Sequence, residues 1–151
     1  MGLADLLGIR IEEASGDRVV AVCPVTPDLH QPYGLVHGGV YAALAETAAS
    51  YGAATWLKQS AHDQNHGIPE GDQGGHHGHA RTALGDRART FGISNHTDFL
   101  RPVTDGSLRA EATPLARGRT TQLWQVAISD DRDRLVAHGR VRLINLDAMP
   151  A

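Results

Sequence analysis

An isolated carboxylate is the residue of this sequence best suited to chemistry. Glu46 is the only formally charged residue between His37 and Leu57, in an Ala-rich stretch of high helix propensity. A carboxylate in so apolar a helix is costly to desolvate unless it is hydrogen-bonded or functional, although a narrow exposed strip would remove that cost. Ser50 follows at i+4 on the same helix face. This spacing suits a carboxylate and a hydroxyl that hold one water molecule between them.

A pair of glycines, Gly38 and Gly39, opens the same stretch. Glycines at a helix start leave the backbone N–H groups unshielded, and the helix dipole adds partial positive charge there. Such a terminus can polarise a carbonyl group and stabilise a developing oxyanion. A junction that needs small residues only for close packing would have the same sequence, so both interpretations stay open.

The spacing of these two features has a geometric consequence. Gly38 and Glu46 are eight residues apart, which is about 12 Å along a helix at 1.5 Å per residue. A carboxylate that attacks a carbonyl carbon must lie about 3–3.5 Å from it. If both residues act on one bond, the site must therefore combine Gly38 of one subunit with Glu46 of another. We expect a homodimer at least, with two equivalent sites.

The remaining segments predict a sheet packed on this helix. Residues Ala4–Ile11 could form a short helix or an extended lead-in, and the apolar run Val19–Cys23 predicts a strand. The Pro, Asp and Gly content of Thr26–Leu35 indicates a loop. Four later segments have strand-like patterns: Phe91–Leu100, Ser107–Pro114, Thr120–Ser129 and Leu135–Leu146. No helix separates these four, so the pattern predicts an α+β fold in which an antiparallel sheet covers one main helix.

Composition limits the possible classes of protein. The 151 residues predict a single domain, residues 1–151, and a net charge of −3 with scattered arginines gives no reason to expect nucleic acid. Glu46 in the middle of the apolar stretch argues against a membrane span. Cys23 is the only cysteine and has no evident base beside it, so we expect a core thiol rather than a nucleophile. With no signal-peptide pattern, a cytoplasmic location is expected.

A long segment from about residue 58 to residue 90 is rich in glycine and histidine and predicts a surface loop inserted in the domain. Its five histidines could bind Zn²⁺ or Ni²⁺, but no cysteine assists and glycine and proline interrupt any helix that would fix the geometry. We therefore expect no metal site and no cofactor. The histidines are His62, His66, His76, His77 and His79.

Several motifs resemble the hotdog-fold acyl-CoA thioesterases. They are His37-Gly38-Gly39, Leu44-Ala45-Glu46-Thr47, the run from Gly92 to Val103, and Arg117-Gly118-Arg119-Thr120 ahead of Trp124. The most similar subgroup contains the phenylacetate-pathway enzymes and the Glu-type 4-hydroxybenzoyl-CoA thioesterase. The resemblance implies an antiparallel sheet wrapped around one long central helix, and hydrolysis of an acyl-CoA thioester in which coenzyme A is part of the substrate. Subunits of similar proteins share their sites, and many pair dimers into homotetramers.

The resemblance also implies roles for individual residues. Glu46 matches the catalytic carboxylate, acting as a nucleophile or as a general base, and the Gly38 N–H matches the donor to the thioester oxygen. Gln31 and His37 match polar residues near that carbonyl, and Ser50 matches a residue that helps to place water or the acyl group. The positions that match substrate or coenzyme A contacts are Gly39, Asn95, Phe99, Arg117, Gly118 and Arg119.

Phe99 departs from the pattern, because similar Glu-type enzymes often have histidine two residues before the Arg-Pro pair. The hydrogen bond of that histidine would be missing, or would be supplied by His96 from another direction. Two alternatives therefore stay open beside an aryl or medium-chain acyl-CoA thioesterase. One is a hydratase or dehydratase on the same fold, and the other is a non-catalytic acyl-CoA-binding module.

Overall fold

The computed structural model describes residues 2–65 and 89–146. Within those ranges, no helix combines the length and hydropathy needed to cross a membrane. A short helix α1 and two strands precede the long helix α2, and four strands follow it. The bounds are α1 Leu3–Leu6, β1 Arg10–Ala14, β2 Val19–Pro24, α2 Gly38–Asn65, β3 Arg89–Phe99, β4 Ser107–Arg117, β5 Thr121–Ser129 and β6 Leu135–Leu146.

The strands form one six-stranded sheet in the order β1-β2-β4-β5-β6-β3, and every neighbouring pair is antiparallel. Strands β1 and β3 are therefore its edges. The α+β architecture of a sheet around one main helix is confirmed. Strand β3 hydrogen-bonds to β6 and lies along α2, so it joins the edge of the sheet to the helix that carries the candidate carboxylate.

Small residues allow α2 to lie close to the sheet. Ala45 and three further alanines of the helix are fully buried. A Cβ atom on Gly139 of β6 would lie 3.2 Å from the Cβ of Ala45, and one on Gly52 of α2 would overlap the indole ring of Trp124. These close approaches need glycine, and they fix the height of α2 above the sheet.

Three details differ from the predictions. Helix α2 continues to Asn65, eight residues beyond Leu57, where a loop was expected to begin. Strand β1 was not predicted as a strand, because its sequence RIEEA has little apolar pattern. The alternation along Leu135–Leu146 also predicts that Leu135 shares the apolar face of Ala137 and Gly139, but at the start of β6 Leu135 is exposed and Val136 is buried. A register irregularity between β5 and β6 at that end of the strand accounts for the shift.

The one cysteine lies in the core of the domain. Cys23 is fully buried in β2, and its thiol contacts the carbonyl oxygen of Leu7 at 3.2 Å. Burial raises the pKa of the Cys23 thiol, which disfavours the thiolate that a nucleophile needs. Its expected place in the core is confirmed.

Candidate active site

The N-terminus of α2 is capped by a histidine side chain. The backbone N–H of Gly39 donates to Nδ1 of His37 at 2.9 Å, and the N–H of Val40 donates to the His37 carbonyl at 2.9 Å. The first helical residue, Gly38, has no intrahelical acceptor for its own N–H. In the part of the chain that the structure describes, no other acceptor for this N–H is found. The Gly38 N–H is therefore available to an external oxygen atom.

An aromatic side chain of β3 covers the start of the helix. A Cβ atom on Gly38 would lie 2.5 Å from Cε2 of Phe99, so the ring lies directly against the glycine. The Phe99 ring also packs on Tyr41 with a centroid distance of 5.6 Å. Tyr41 is buried, but Phe99 is 58% exposed. An open aromatic surface thus lies beside the available N–H of Gly38.

Glu46 lies on the side of α2 that is exposed in the single protomer. Its carboxylate lies over β3, where a Cβ atom on Gly92 would be 2.8 Å from the Glu46 Oε1. Gly92 gives the carboxylate room to approach the strand backbone. Exposure in one protomer means that desolvation of Glu46 needs a partner or a ligand to cover it.

Two polar side chains of β3 link the strand to α2 next to Glu46. Nδ2 of Asn95 donates to the backbone carbonyl of Ala42 at 2.9 Å. The hydroxyl of Thr97 donates to Oδ1 of Asn95 at 2.7 Å. The Asn95 amide NH₂ is thus directed at the helix, and its predicted contact with the substrate stays a prediction.

Two further predicted site residues, Gln31 and Ser50, make no contact that indicates a catalytic role in the described part of the structure. Oε1 of Gln31 accepts the backbone N–H of Tyr33, which closes a turn in which Gly34 has a φ of 77°. Such a positive φ favours glycine. Ser50 is partly exposed one turn after Glu46. The roles of Gln31 and Ser50 stay predictions.

The arginine motif is held at the far end of α2. Nη1 of Arg117 donates to the Gly16 carbonyl at 2.7 Å and to Oδ1 of Asp17 at 2.8 Å. Its guanidinium carbon lies 5.5 Å from the ring centroid of Trp56. The Arg117 side chain thus already has hydrogen-bond partners and a cation–π contact within its own protomer. Gly118 and Arg119 are exposed in the adjacent turn.

The histidine-rich segment lies mostly outside the described residues. This holds for His66, His76, His77 and His79, and the side chain of His62 is not described either. Among the described side chains, no group of three or more His, Cys, Asp or Glu residues could hold a metal ion.

The single protomer does not bring Gly38 and Glu46 together as parts of one site. Phe99 lies against Gly38 at the start of α2, whereas Gly92 lies against Glu46 about two turns farther along the helix. Gly92 was not singled out from the sequence, because its position below Glu46 depends on the pairing of β3. Tyr41 was missed as well, although an aromatic residue three positions after Gly38 could have indicated the wall beside the helix start.

A helix start with an available N–H can stabilise an oxyanion, and a carboxylate can activate water for attack on a carbonyl group. The family model of the thioesterase superfamily matches residues 33–137. The chain belongs to this superfamily, has its hotdog fold, and is an enzyme of the thioester hydrolase class.

Individual relatives cover almost the whole chain. A Mycobacterium tuberculosis protein named as an esterase is 41% identical over 144 residues, which cover 95% of this chain and 86% of the relative. Its solved structure covers 97% of this chain and 98% of that chain, at 39% identity and a TM-score of 0.76.

Two relatives have more specific names. The 1,4-dihydroxy-2-naphthoyl-CoA hydrolase of Listeria monocytogenes is 30% identical over 140 residues, covering 93% of this chain and 92% of the relative. The proofreading thioesterase EntH of Klebsiella pneumoniae is 32% identical over 128 residues, covering 85% of this chain and 74% of the relative.

Proposed function

We propose that this protein hydrolyses aryl-CoA thioesters to the free acid and coenzyme A, in sites shared between two copies of the chain. The observation that carries the proposal is the pairing, on one helix, of an available Gly38 N–H with the solvent-facing carboxylate of Glu46. The two are about 12 Å apart along the axis, which is too far for one thioester. Two helices from different protomers, arranged about a two-fold axis, can supply one of each to the same bond.

In this mechanism the Gly38 N–H donates a hydrogen bond to the thioester oxygen and stabilises the negative charge that develops there. Glu46 of the partner acts in one of two ways. As a general base it takes a proton from water while the water oxygen attacks the carbonyl carbon, and when the C–S bond breaks it returns this proton to the departing thiolate to give the thiol. As a nucleophile its carboxylate displaces the thiolate and forms an anhydride, which water then hydrolyses.

The edge strand β3 supports the shared site. It is 11 residues long and, in the described part of the chain, hydrogen-bonds on one side only, to β6. Phe91, Ile93 and Phe99 on this strand are 48–58% exposed. Open edges with apolar side chains favour pairing with another strand. A second copy seated along β3 would also cover Glu46, and pairing of such dimers would give the homotetramer.

The aryl specificity rests on the aromatic wall beside Gly38. The exposed face of Phe99, backed by Tyr41, offers edge-to-face or offset contacts to a flat acyl group. The name of the Listeria relative, a naphthoyl-CoA hydrolase, supports an aromatic acyl group for this chain as well. The motif residues around Glu46 further support the subgroup of phenylacetate-pathway and Glu-type enzymes. The single cysteine supports a cytoplasmic location.

A substrate panel tests the proposal. Benzoyl-, phenylacetyl- and octanoyl-CoA are hydrolysed with thiol detection by the wild type and by Glu46→Ala. We expect Glu46→Ala to lose two or more orders of magnitude in turnover, on the usual scale of acid–base catalysis, with an unchanged fold. Comparable rates in the two proteins would remove Glu46 from its role.

A matched pair of variants tests the aromatic wall. Phe99→Leu removes the ring and Phe99→Tyr keeps it. Because aromatic contacts contribute about 0.5–1.5 kcal/mol beyond buried area, Phe99→Leu should lower the preference for benzoyl-CoA over octanoyl-CoA by roughly two- to thirteenfold. Phe99→Tyr should keep the preference. An unchanged ratio in Phe99→Leu would argue against the aryl assignment while leaving the hydrolase in place.

A further inference from the structure

Strand β3 contains a β-bulge next to Glu46. Its pairing with β6 passes from Gly92↔Leu143 directly to Ser94↔Arg142, so Ile93 is an extra residue on β3. Side chains of a regular strand alternate between its two faces. Positions 92 and 95 would then point to opposite faces. The extra residue brings positions 92 and 95 to the same face of the strand, which is the face towards α2.

Both residues contact the helical turn that carries the carboxylate. The Asn95 amide donates to the carbonyl of Ala42 at 2.9 Å. In an α-helix this same carbonyl accepts the backbone N–H of the residue four positions later, which is Glu46. The Thr97 hydroxyl donates to the Asn95 Oδ1 at 2.7 Å, which directs the amide NH₂ at the helix. The Glu46 turn is therefore tied to β3 through one backbone carbonyl.

Gly92 supplies the second contact. A Cβ atom there would be 2.8 Å from Oε1 and 3.3 Å from Cδ of Glu46. The carboxylate thus lies on bare strand backbone, and any side chain at position 92 would push it away. Only the flexible end of Glu46 would have to move, so the fold itself would tolerate alanine at this position.

We infer that the bulge at Ile93 is a positioning device, in which Gly92, Asn95 and Thr97 set where the Glu46 carboxylate lies relative to the thioester bound by the partner. The inference rests on the proposed function of Glu46. It assigns Asn95 a role through Glu46 rather than through contact with coenzyme A. A displacement of about 1 Å of a reacting group can cost about 10²-fold in rate, so the effect belongs to kcat rather than to substrate binding.

Single variants separate these effects. Asn95→Leu removes the amide at similar size, and Gly92→Ala adds one methyl group below the carboxylate. We expect each to lower kcat by roughly 10- to 100-fold, with KM changed less than about twofold. Ser94→Ala, on the opposite face of the same strand, is the matched control and should keep the wild-type kcat. A rise in KM at unchanged kcat for Asn95→Leu would overturn the inference in favour of a substrate contact.

Thr97 offers a rescue test. Thr97→Ser keeps the hydroxyl that orients Asn95, whereas Thr97→Val has the same shape without it. We expect Thr97→Val to lower kcat and Thr97→Ser to keep it within about twofold. Equal rates in the two variants would contradict the proposed link between Thr97 and Asn95.

Combination with Glu46→Ala gives the decisive measurement. If Asn95 acts through Glu46, then Asn95→Leu should cause no further loss in the residual rate of Glu46→Ala, because residues that act as a unit are not additive. A further loss by the same factor as in the wild-type background would show a general structural effect and overturn the inference. A different result would contradict the proposed function, namely a Glu46→Ala single variant with the turnover of the wild type.

Discussion

The imidazole of His37 and the backbone of Gly39 form the side-chain cap of α2, with Nδ1 accepting the Gly39 N–H at 2.9 Å. An imidazole nitrogen accepts a hydrogen bond only when it carries no proton, so this bond selects the tautomer with the proton on Nε2. The cap uses the second N–H of the helix and leaves that of Gly38 available. His37 thereby organises the candidate oxyanion site without having to contact the substrate.

A pair of substitutions at His37 distinguishes capping from substrate contact. Asparagine is a good N-cap residue, so His37→Asn should keep the stability and most of the turnover. His37→Leu should lose about 1 kcal/mol in the free energy of unfolding, because the Gly39 N–H loses its acceptor. Denaturant unfolding and steady-state rates measure both. A stable but inactive His37→Asn would instead place the imidazole on the thioester.

The proposed shared site predicts that two inactive variants restore each other's activity. Gly38→Pro deletes the N–H at the first helical position, where proline is well tolerated, and Gly38→Ala adds a similar Cβ but keeps the N–H. A hybrid of Gly38→Pro and Glu46→Ala protomers has one site with both native groups. After mixing and reassembly at equal amounts, about a quarter of the wild-type rate should return, because half of the dimers are hybrids with one intact site.

Subunits that do not exchange would give no signal, so the mixture is refolded together or co-expressed with two different tags. The hybrid is then purified through both tags before its rate is measured. Gly38→Ala gives the control for the added Cβ against Phe99 and should keep more activity than Gly38→Pro. A purified hybrid as inactive as its parents would place both groups of each site in the same protomer.

Much of this fold could be predicted from the sequence, because β2, β4, β5 and most of β6 have apolar patterns that match their burial. Strand β1 could not, since RIEEA reads as polar. Pairing with β2 makes it a strand, and two ion pairs secure it, Arg109–Glu12 at 2.8 Å and Arg18–Glu13. These pairs join residues far apart in the chain or across a turn, which a local pattern does not reveal.

The candidate site was predictable only where chemistry is carried by residue type. Glu46 is conspicuous as the one charge in an apolar helix, and Gly38 as a glycine at a helix start. Gly92 was not singled out, and Asn95 was named only through the resemblance and as a substrate contact, because their common orientation follows from the bulge at Ile93, a property of strand pairing. Glu46 is exposed in the single protomer, which is one of the two positions that the sequence left open, and the proposed second protomer would cover it.

The turn between β5 and β6 should make stability depend on pH. The Arg134 guanidinium, which donates to Oδ2 of Asp130 at 2.8 and 2.6 Å, is the main cause that lowers the pKa of Asp130 to about 2. The backbone N–H groups of Arg132 and Arg134 add to this effect at Oδ1. Because the folded pKa lies below the value of about 3.9 in an unfolded chain, the contribution is complete above about pH 4 and is lost as the pH falls towards 2.

Asp130→Asn should therefore have a lower free energy of unfolding than the wild type near neutral pH, with a difference that shrinks as the pH falls from about 4 to 2. Denaturant unfolding at several pH values measures it. Asp133→Asn is the control, because Asp133 has a φ of 56° and asparagine tolerates that conformation equally well. A difference for Asp130→Asn that stays constant from neutral pH to 2 would show that ionisation of Asp130 is not its source.

The buried polar chain at Gln122 should be important for stability. The Gln122 Nε2 donates to the Ala53 carbonyl at 3.3 Å and to Oδ1 of Asn145 at 2.9 Å, and its Oε1 accepts the indole N–H of Trp124 at 3.0 Å. Asn145 in turn donates to the carbonyl of Gly118 at 2.9 Å, so one chain of hydrogen bonds joins α2, β5, β6 and the turn after β4.

Gln122→Leu would leave the buried indole N–H without its acceptor and free the amide of Asn145. We expect a loss of roughly 2–4 kcal/mol in the free energy of unfolding, the usual range when a buried hydrogen-bond network is broken. Adding Trp124→Phe to Gln122→Leu removes the orphaned donor. Trp124→Phe should therefore lower the free energy of unfolding less in the Gln122→Leu background than in the wild type, because the two residues are coupled. Full additivity of the two substitutions in denaturant unfolding would show that this hydrogen bond contributes nothing to stability.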